Sequence, residues 1–196
     1  MLSLRFVGPG VSALASIALA LTGCGADDTP EGDPVATTGP APEPTPEPAA
    51  PPEPPPALDL DGEARYGAIP IAPGFSPDPR EERGTSRGVV EASELSDECT
   101  GFITEAPLHR IEARGPFARL HLMALGEAPI GLVLRTEAGQ VHCVPVPDGD
   151  RPAHLVQHLA PGEHRVWIAT ARADDPVRYT LGLSEIELVA DALTPP

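Results

Sequence analysis

The sequence contains no lysine, and its thirteen basic residues are all arginines, against twenty-nine aspartates and glutamates. The formal net charge is −16. A chain with this charge repels phosphate groups, which argues against nucleic acid and anionic lipid headgroups as binding partners. The negative charge is also uneven, because residues 25–64 hold ten acidic side chains and no arginine. The densest charge therefore lies toward the amino terminus.

Long hydrophobic runs are also missing. The most apolar stretch, residues 11–22, follows Gly8-Pro9-Gly10, which would interrupt a helix. A bilayer core requires about 20 apolar residues, so this stretch is too short to be a transmembrane helix. With Arg5 before it and small residues after it, the stretch has the layout of a secretory signal. We therefore predict that residues 1–23 are a signal peptide and that the mature chain begins at Cys24.

The predicted processing site reads Leu21-Thr22-Gly23-Cys24, and it resembles the lipobox of bacterial lipoproteins. The resemblance implies that the Cys24 thiol receives a diacylglycerol and that cleavage before Cys24 frees an amine for a further acyl chain. Two or three acyl chains anchor a protein stably at about 0.8 kcal/mol per buried methylene, whereas one chain is marginal. The implied partner is a lipid bilayer. The alternative is an ordinary signal peptide that contains a cysteine.

Cysteine is scarce, and the three cysteines are predicted to be one lipidated residue and one disulfide pair. An exported protein seldom keeps a spare thiol, and acylation of Cys24 would remove the odd one. Cys99 and Cys143 then remain as a natural disulfide pair. The alternative is two buried free thiols, which an oxidising compartment disfavours.

Proline, by contrast, is abundant, and eleven prolines lie between residues 34 and 56 among Ala, Thr and Glu. Proline fixes φ and removes backbone donors, so this stretch favours polyproline II over helix or sheet. At about 3.1 Å per residue, it would hold a domain on the order of 70 Å from its anchor. We predict a disordered acidic tether over residues 24–79. The alternative is a recognition segment for a proline-binding domain.

Aromatic residues make up 4% of the chain, and no long segment has helical periodicity. Short runs with alternating apolar residues instead recur every 8 to 12 residues, separated by turn signals, as in an all-β sandwich. We predict a β-sandwich domain over residues 80–190 and a disordered tail over residues 191–196. The predicted strands are residues 89–92, 101–104, 109–113, 119–124, 130–136, 140–144, 154–159, 164–170 and 179–186.

The same region contains a series of short motifs: Gly84-Thr85-Ser86-Arg87-Gly88, Cys99-Thr100-Gly101, residues 106–111, the hairpin 132–143, residues 161–168 and residues 178–181. Together these motifs resemble the bacterial pre-peptidase C-terminal domain over residues 84–186. The resemblance implies an antiparallel, jelly-roll-like β-sandwich without enzymatic activity. It also implies that Cys99 and Cys143 correspond to the paired cysteines of that family.

Members of that family often have two adjacent aspartates after the second cysteine, where they can bind calcium. Here the acids are displaced to Asp148 and Asp150. Together with Asp174 and Asp175 they offer oxygen ligands, of which calcium takes about six to eight. The alternative is that all four are solvated turn residues. We predict no cofactor besides the lipid on Cys24, with calcium as the weaker possibility.

The segment Gly84-Thr85-Ser86-Arg87-Gly88 matches the nucleophile-elbow pattern, and Asp148 and His164 follow in the order found in α/β-hydrolases. That elbow joins a buried strand to a helix, whereas here Pro-rich and charged residues precede it and a β-like run follows. We therefore predict that Ser86 lies in a turn that enters the first strand and is not a nucleophile.

His154 and His158 lie four residues apart, and His142 adjoins Cys143, so a zinc site can be drawn from them. A disulfide at Cys143 and the lack of a carboxylate at ligand spacing favour exposed strand histidines instead. Trp167 is predicted to be half-buried on its strand, with a ligand-stacking role as the alternative. No metal site is predicted.

These features predict a non-enzymatic β-sandwich accessory or binding module, displayed by a lipoprotein at the cell surface or in the periplasm. The alternatives are a calcium-dependent domain that binds a protein or a glycan, and a small hydrolase that uses Ser86. Gly25 stands where an Asp would retain some lipoproteins at the inner membrane, so outer-membrane placement is favoured over the cell membrane. The protein or glycan ligand, the role and the oligomeric state are not specified by the sequence.

Overall fold

The computed structural model describes residues 55–149 and 151–196, and in this part of the chain two sheets pack face to face. The predicted signal peptide, Cys24 and most of the predicted tether lie outside the described residues. None of the described helices has the length and apolar character needed to cross a bilayer.

The larger sheet has seven strands: β1 (Ala68–Ile71), β3 (Val90–Glu91), β4 (Phe102–Ile103), β5 (His109–Ala113), β7 (Ile130–Arg135), β8 (Val141–Val144) and β10 (Gly162–Thr170). Strand β10 is long and central. One edge of β10 pairs with β5 and then with β4, and the other edge pairs with β7, which is followed by β8. Every pairing in this sheet is antiparallel except that of β1 with β5.

The smaller sheet has four antiparallel strands: β2 (Arg80–Ser86), β6 (Phe117–Gly126), β9 (Ala153–Leu159) and β11 (Val177–Ser184). Their order in the sheet is β2-β11-β6-β9. The prediction of an all-β sandwich is confirmed, since the described regular elements are these strands and two single-turn 3₁₀ helices. All nine predicted strands are present, with shifts of a few residues at their ends.

The main core lies between the two sheets and follows from the alternation of apolar residues along the strands. Leu120 and Leu122 of β6 face Val166 and Ile168 of β10 across this core, and none of the four is exposed to solvent. Because successive strand residues point to opposite faces, the residues between them point outward. The two sheets differ in how these outward-pointing residues are covered.

On the larger sheet the outward residues enter a second core. Trp167 and Val133 are buried there beneath the segment that contains Val90 and Ile103, and Leu58 and Leu60 pack against the same cluster. Around Trp167 the seven-stranded sheet is therefore buried on both faces. This explains why β10 has almost no exposed residue although its sequence alternates.

The domain begins earlier than residue 80, which corrects the predicted extent of the tether. Ile69 and Ile71 of β1 are buried, and β1 extends the larger sheet beside β5. Upstream of β1, the Asp59 amide donates to the Glu105 carbonyl at 2.9 Å. The prolines and glycines of this region therefore belong to an ordered segment at the edge of the larger sheet, and not to a linker.

The end of the chain also belongs to the domain, which corrects the predicted disordered tail. Leu188 and Leu193 are buried against Met123 on the outer face of the smaller sheet. The Thr194 amide then donates to Glu81 of β2 at 3.1 Å. We call residues 187–194 the C-terminal strap. It crosses the sheet along the row in which His154, Met123, Gly182 and Glu81 are neighbours on adjacent strands.

Candidate functional site

Ser86 ends β2, and its surroundings are those of a structural residue. Its side chain is fully buried, and its hydroxyl donates to the Ile168 carbonyl of the opposite sheet at 2.6 Å. A side chain at Gly84 would collide with Tyr179, and one at Gly88 would collide with the Phe102 backbone. The glycines of the elbow-like motif thus permit close packing, and Ser86 hydrogen-bonds one sheet to the other.

Of the other two residues of the hydrolase hypothesis, His164 has partners of its own and Asp148 lies elsewhere. The Glu137 amide donates to Nδ1 of His164 at 3.3 Å, and the His164 Nε2 donates to the Ala160 carbonyl at 2.9 Å. One ring nitrogen of His164 therefore contacts the loop between β7 and β8, and the other contacts the turn between β9 and β10. Asp148 is exposed in a different loop. The structure supplies no hydrolase constellation among these residues.

The acidic residues considered for calcium are divided between two loops. Asp174 accepts hydrogen bonds from Arg87, with the Arg87 Nε at 2.7 Å from Oδ1 and the Arg87 Nη2 at 2.9 Å from Oδ2. Both oxygens are thus directed at a guanidinium. Asp150 lies outside the described residues. Within 55–149 and 151–196, no group of three or more His, Cys, Asp or Glu side chains is arranged to hold a metal ion.

The histidines proposed for zinc do not converge on one another, and His154 instead contacts His121. Nδ1 of His121 lies 3.1 Å from Nε2 of His154, so one ring donates and the other accepts. Burial lowers the pKa of His154, the neighbouring His121 lowers it further, and the charge of Glu187 opposes both effects. This pair lies beside the C-terminal strap. His158 is exposed on β9.

The predicted disulfide is present. Cys99 and Cys143 are joined across 44 residues, with their Cα atoms 5.4 Å apart. Cys99 belongs to the second core and is 2% exposed. The bond thus connects the loop between β3 and β4 to strand β8. It fastens the layer that covers the outer face of the seven-stranded sheet.

Trp167 is fully buried in the same second core, which corrects the prediction of a half-buried side chain. Its sequence neighbours Val166 and Ile168 face the main core, so the predicted alternation of the side chains along β10 is confirmed. The cover over Trp167 comes from residues far away in the sequence, and strand periodicity contains no information about it. A stacking role toward a ligand is excluded by this burial.

A polar cluster that sequence analysis missed lies at one end of the main core. The His109 Nε2 lies 2.7 Å from the Tyr179 hydroxyl, and the two rings meet edge to face. Tyr66 stacks on His109 and exchanges hydrogen bonds with the backbone of Thr85 at 2.8 and 3.0 Å. These contacts tie β5, β11 and β2 together. Burial raises the pKa of Tyr179 far above its usual range, so its hydroxyl stays protonated.

We expect His109 to make the domain sensitive to mild acid. Burial lowers its pKa from 6.5 to about 4, so the unfolded chain binds a proton under conditions in which the folded domain does not. Stability should therefore fall as the pH drops below 6.5, and the loss should level off near pH 4 at about 3 kcal/mol. Urea unfolding at pH 7.5, 6.5 and 5.5 measures this slope.

The variant His109→Asn should flatten that pH dependence even if it lowers stability at every pH. His158→Asn is the matched control because His158 is an exposed strand histidine. This control should keep the slope of the parent protein. An unchanged slope in His109→Asn would show that another group is responsible.

An open cleft of the described domain is the candidate binding site. It has a volume of about 500 Å³ and is open to solvent. Its walls come from the segment before β1, the loop after β2 and the loop between β4 and β5. The lining side chains are Ala57, Asp59, Arg65, Arg87, Val89, Thr104, Glu105 and Ala106.

The chemistry of this cleft combines both charge signs with an apolar wall. Arg65 lies 5.8 Å from the centre of the Tyr66 ring, and Arg87 is paired with Asp174. The Thr104 hydroxyl donates to the Ala106 carbonyl at 2.6 Å, which stabilises the loop. Such a surface suits a ligand with polar groups of both signs, such as a peptide backbone with its side chains. The cleft was not predicted from the sequence, because Asp59 and Arg65 were assigned to the tether.

Comparison with known proteins shows structural similarity to a solved domain but assigns no family. No protein-family model matches the chain, and no curated protein matches it. The chain is similar to the crystal structure of the pre-peptidase C-terminal domain of a collagenase from Bacillus anthracis. The two share 11% sequence identity with a TM-score of 0.38, over 63% of this chain and 100% of that domain. The assignment of a β-sandwich rests on the strand pairing described above.

Proposed function

We propose that this protein is a lipoprotein of the bacterial envelope, anchored through Cys24, which displays a non-enzymatic β-sandwich as a binding module. The anchor and the module are separate parts of the proposal. Each is supported by a different set of residues, and each has its own test.

The disulfide is the observation that supports the first part of the proposal, the lipid anchor on Cys24. Since Cys99 and Cys143 are bonded to each other, Cys24 is the odd cysteine of the chain, and it stands in the lipobox-like sequence. Disulfides persist in compartments outside the cytoplasm, to which the predicted signal peptide would direct the chain. A thioether-linked lipid on Cys24 accounts for the third cysteine. Gly25 favours the outer membrane over the inner one, and the acidic tether would hold the domain away from the lipid surface.

We expect Cys24→Ser to abolish the anchor. Without the thiol no diacylglycerol can be attached, so radiolabelled palmitate should no longer enter the protein, and the protein should move from the membrane to the soluble fraction. The double variant Cys99→Ala, Cys143→Ala is the control, because it also removes thiols but leaves Cys24. It should label normally. Continued labelling of Cys24→Ser would refute lipid attachment at this residue.

The second part of the proposal is supported by the candidate cleft and by the structural contacts of Ser86 and His164. Ser86 is buried with its hydroxyl donated to a carbonyl, and His164 has both ring nitrogens engaged. The cleft, in contrast, is open and is lined by two arginines, Arg65 and Arg87, and two acids, Asp59 and Glu105. We propose that a protein or glycan ligand binds there.

We expect Arg65→Glu to weaken that binding at least tenfold, because it reverses one of the two positive charges of the cleft. A displayed peptide library and a glycan array identify the ligand with the unmodified protein, and titration calorimetry then compares the variants. Arg119→Glu is the control, since Arg119 is exposed on β6 and does not line the cleft. Equal affinity of both variants would place the binding site elsewhere.

A further inference from the structure

The edges of the two sheets differ in how well they are protected against pairing with another chain. An exposed edge strand offers free backbone groups, and proteins usually block such edges by short length, proline or charge. In the larger sheet, β1 contains Pro70, β3 has two residues, and β8 has four residues and ends before Pro145. In the smaller sheet, β2 begins with four consecutive charged residues, 80–83.

Strand β9 lacks these protections. It has seven residues, Ala-His-Leu-Val-Gln-His-Leu, without proline, glycine, Asp, Glu or Arg. Its backbone pairs with β6 on one side, and within the described residues no strand pairs with its other side. Val156, at its centre, is 40% exposed, which is unusual for an apolar strand residue. This edge is therefore a template for a further strand.

Val156 is the central residue of β9, and of the three residue pairs placed symmetrically about it one is identical. His154 and His158 lie symmetrically two residues away, and Leu155 and Gln157 lie one residue away. In an antiparallel pair, directly opposite residues point to the same side of the sheet. A two-fold axis at Val156 therefore places Val156 opposite itself and His154 opposite His158 of the second copy. This is the axis that pairs all seven residues of one β9 with all seven of the other.

We propose that β9 is a homodimerisation edge: two copies of this chain pair their β9 strands antiparallel about Val156, which joins two four-stranded sheets into one sheet of eight strands. The contact is isologous, so it closes after two copies. It leaves the candidate cleft untouched, because no residue of β9 lines that cleft.

Charge explains why a second copy would approach at this edge. Two chains with a net charge of −16 repel each other over most of their surfaces, whereas β9 contains no acidic residue. Like charges directly opposite each other across a strand pair are destabilising, and this pairing has none when the histidines are neutral. Added salt screens the remaining repulsion, since the Debye length is about 10 Å at 0.1 M ionic strength. The dimer should therefore strengthen as salt is raised.

Sedimentation velocity tests the proposal directly. All samples are the full chain with Cys24→Ser, so that lipid does not cause association. We expect a concentration-dependent change from the monomer to a species of twice its mass, with a dissociation constant in the micromolar range. Val156→Lys should raise this constant at least tenfold, because it places two lysines opposite each other at the axis.

Ala68→Lys is the matched control, because Ala68 is an exposed residue on the edge strand β1. It should leave the dimer unchanged, and circular dichroism should show that both variants keep the sheet. A monomer at all concentrations would overturn the proposal. So would a dimer that Val156→Lys does not weaken, or one that both lysine variants weaken equally.

Cross-linking tests the position of the axis. A residue on a two-fold axis lies opposite itself, so Val156→Cys should form a covalent dimer with a short bismaleimide reagent. Ala68→Cys should give only background cross-linking. Efficient cross-linking at Ala68→Cys with none at Val156→Cys would show that a different edge forms the contact and would overturn the proposal.

Discussion

Replacing both Cys99 and Cys143 by alanine is expected to lower the free energy of unfolding by about 4 kcal/mol. The disulfide closes a loop with a sequence separation of 44 residues, and the chain-entropy account of such a loop gives a loss of this size. The loss is a large fraction of the stability of a small domain, which is about 5–15 kcal/mol. The cover of the second core should be the first part of the domain to open.

Urea unfolding followed by circular dichroism measures this loss. The parent protein in a strong reductant should approach the stability of the double variant, since both lack the bond. The single variant Cys24→Ser is the control and should unfold like the parent, because that cysteine lies outside the disulfide. A loss below about 1 kcal/mol in the double variant would mean that the bond contributes little to the folded domain.

The second large effect is expected from Trp167→Ala, at about 3–5 kcal/mol. Trp167 is the largest fully buried side chain of the domain, and its removal leaves a cavity beneath the segment that contains Cys99 and Ile103. Trp167→Phe fills most of that space and should cost clearly less. Val189→Ala is a surface control, because Val189 is 56% exposed. Denaturant titrations of the three variants give the comparison.

The tryptophan and the disulfide should not act independently. Cys99, Cys143 and Trp167 belong to the same cluster, and residues in contact commonly show coupling energies of about 0.5–3 kcal/mol. A double-mutant cycle between Trp167→Ala and the cysteine pair measures the coupling. Strict additivity would show that the disulfide stabilises the domain through the unfolded chain alone.

Sequence periodicity was sufficient for the strands that form the centre of the sandwich. The apolar alternation of β6, β10 and β11 is set by residues two positions apart, and each of these strands was predicted from its own segment. Sequence periodicity was insufficient to predict β1 and β2. Strand β1 contains Pro70 among glycines and prolines, and β2 is charged over residues 80–83, so neither resembles a strand in isolation. Each forms because a longer strand offers it a partner, β5 for β1 and β11 for β2.

The candidate site shows the same division. The pairing of Cys99 with Cys143 followed from counting and from the family resemblance. The cleft could not be found in this way, because it brings Asp59 and Arg65 beside Arg87 and Glu105, and these residues lie on separate segments. The contact between His109 and Tyr179 spans 70 residues and the two sheets. Neither residue stands in a pattern that points to the other.

The sequence by itself determined the β class of the domain, the positions of most strands along the chain, the disulfide partners and the uneven distribution of charge. These depend on composition, on count or on the two-residue period of a strand. Only the tertiary structure decided that Ser86 and Trp167 are buried, that the C-terminal strap covers the smaller sheet, and that β9 is an unprotected edge. Burial and free edges depend on which distant segments come together, and that information is distributed over the whole chain.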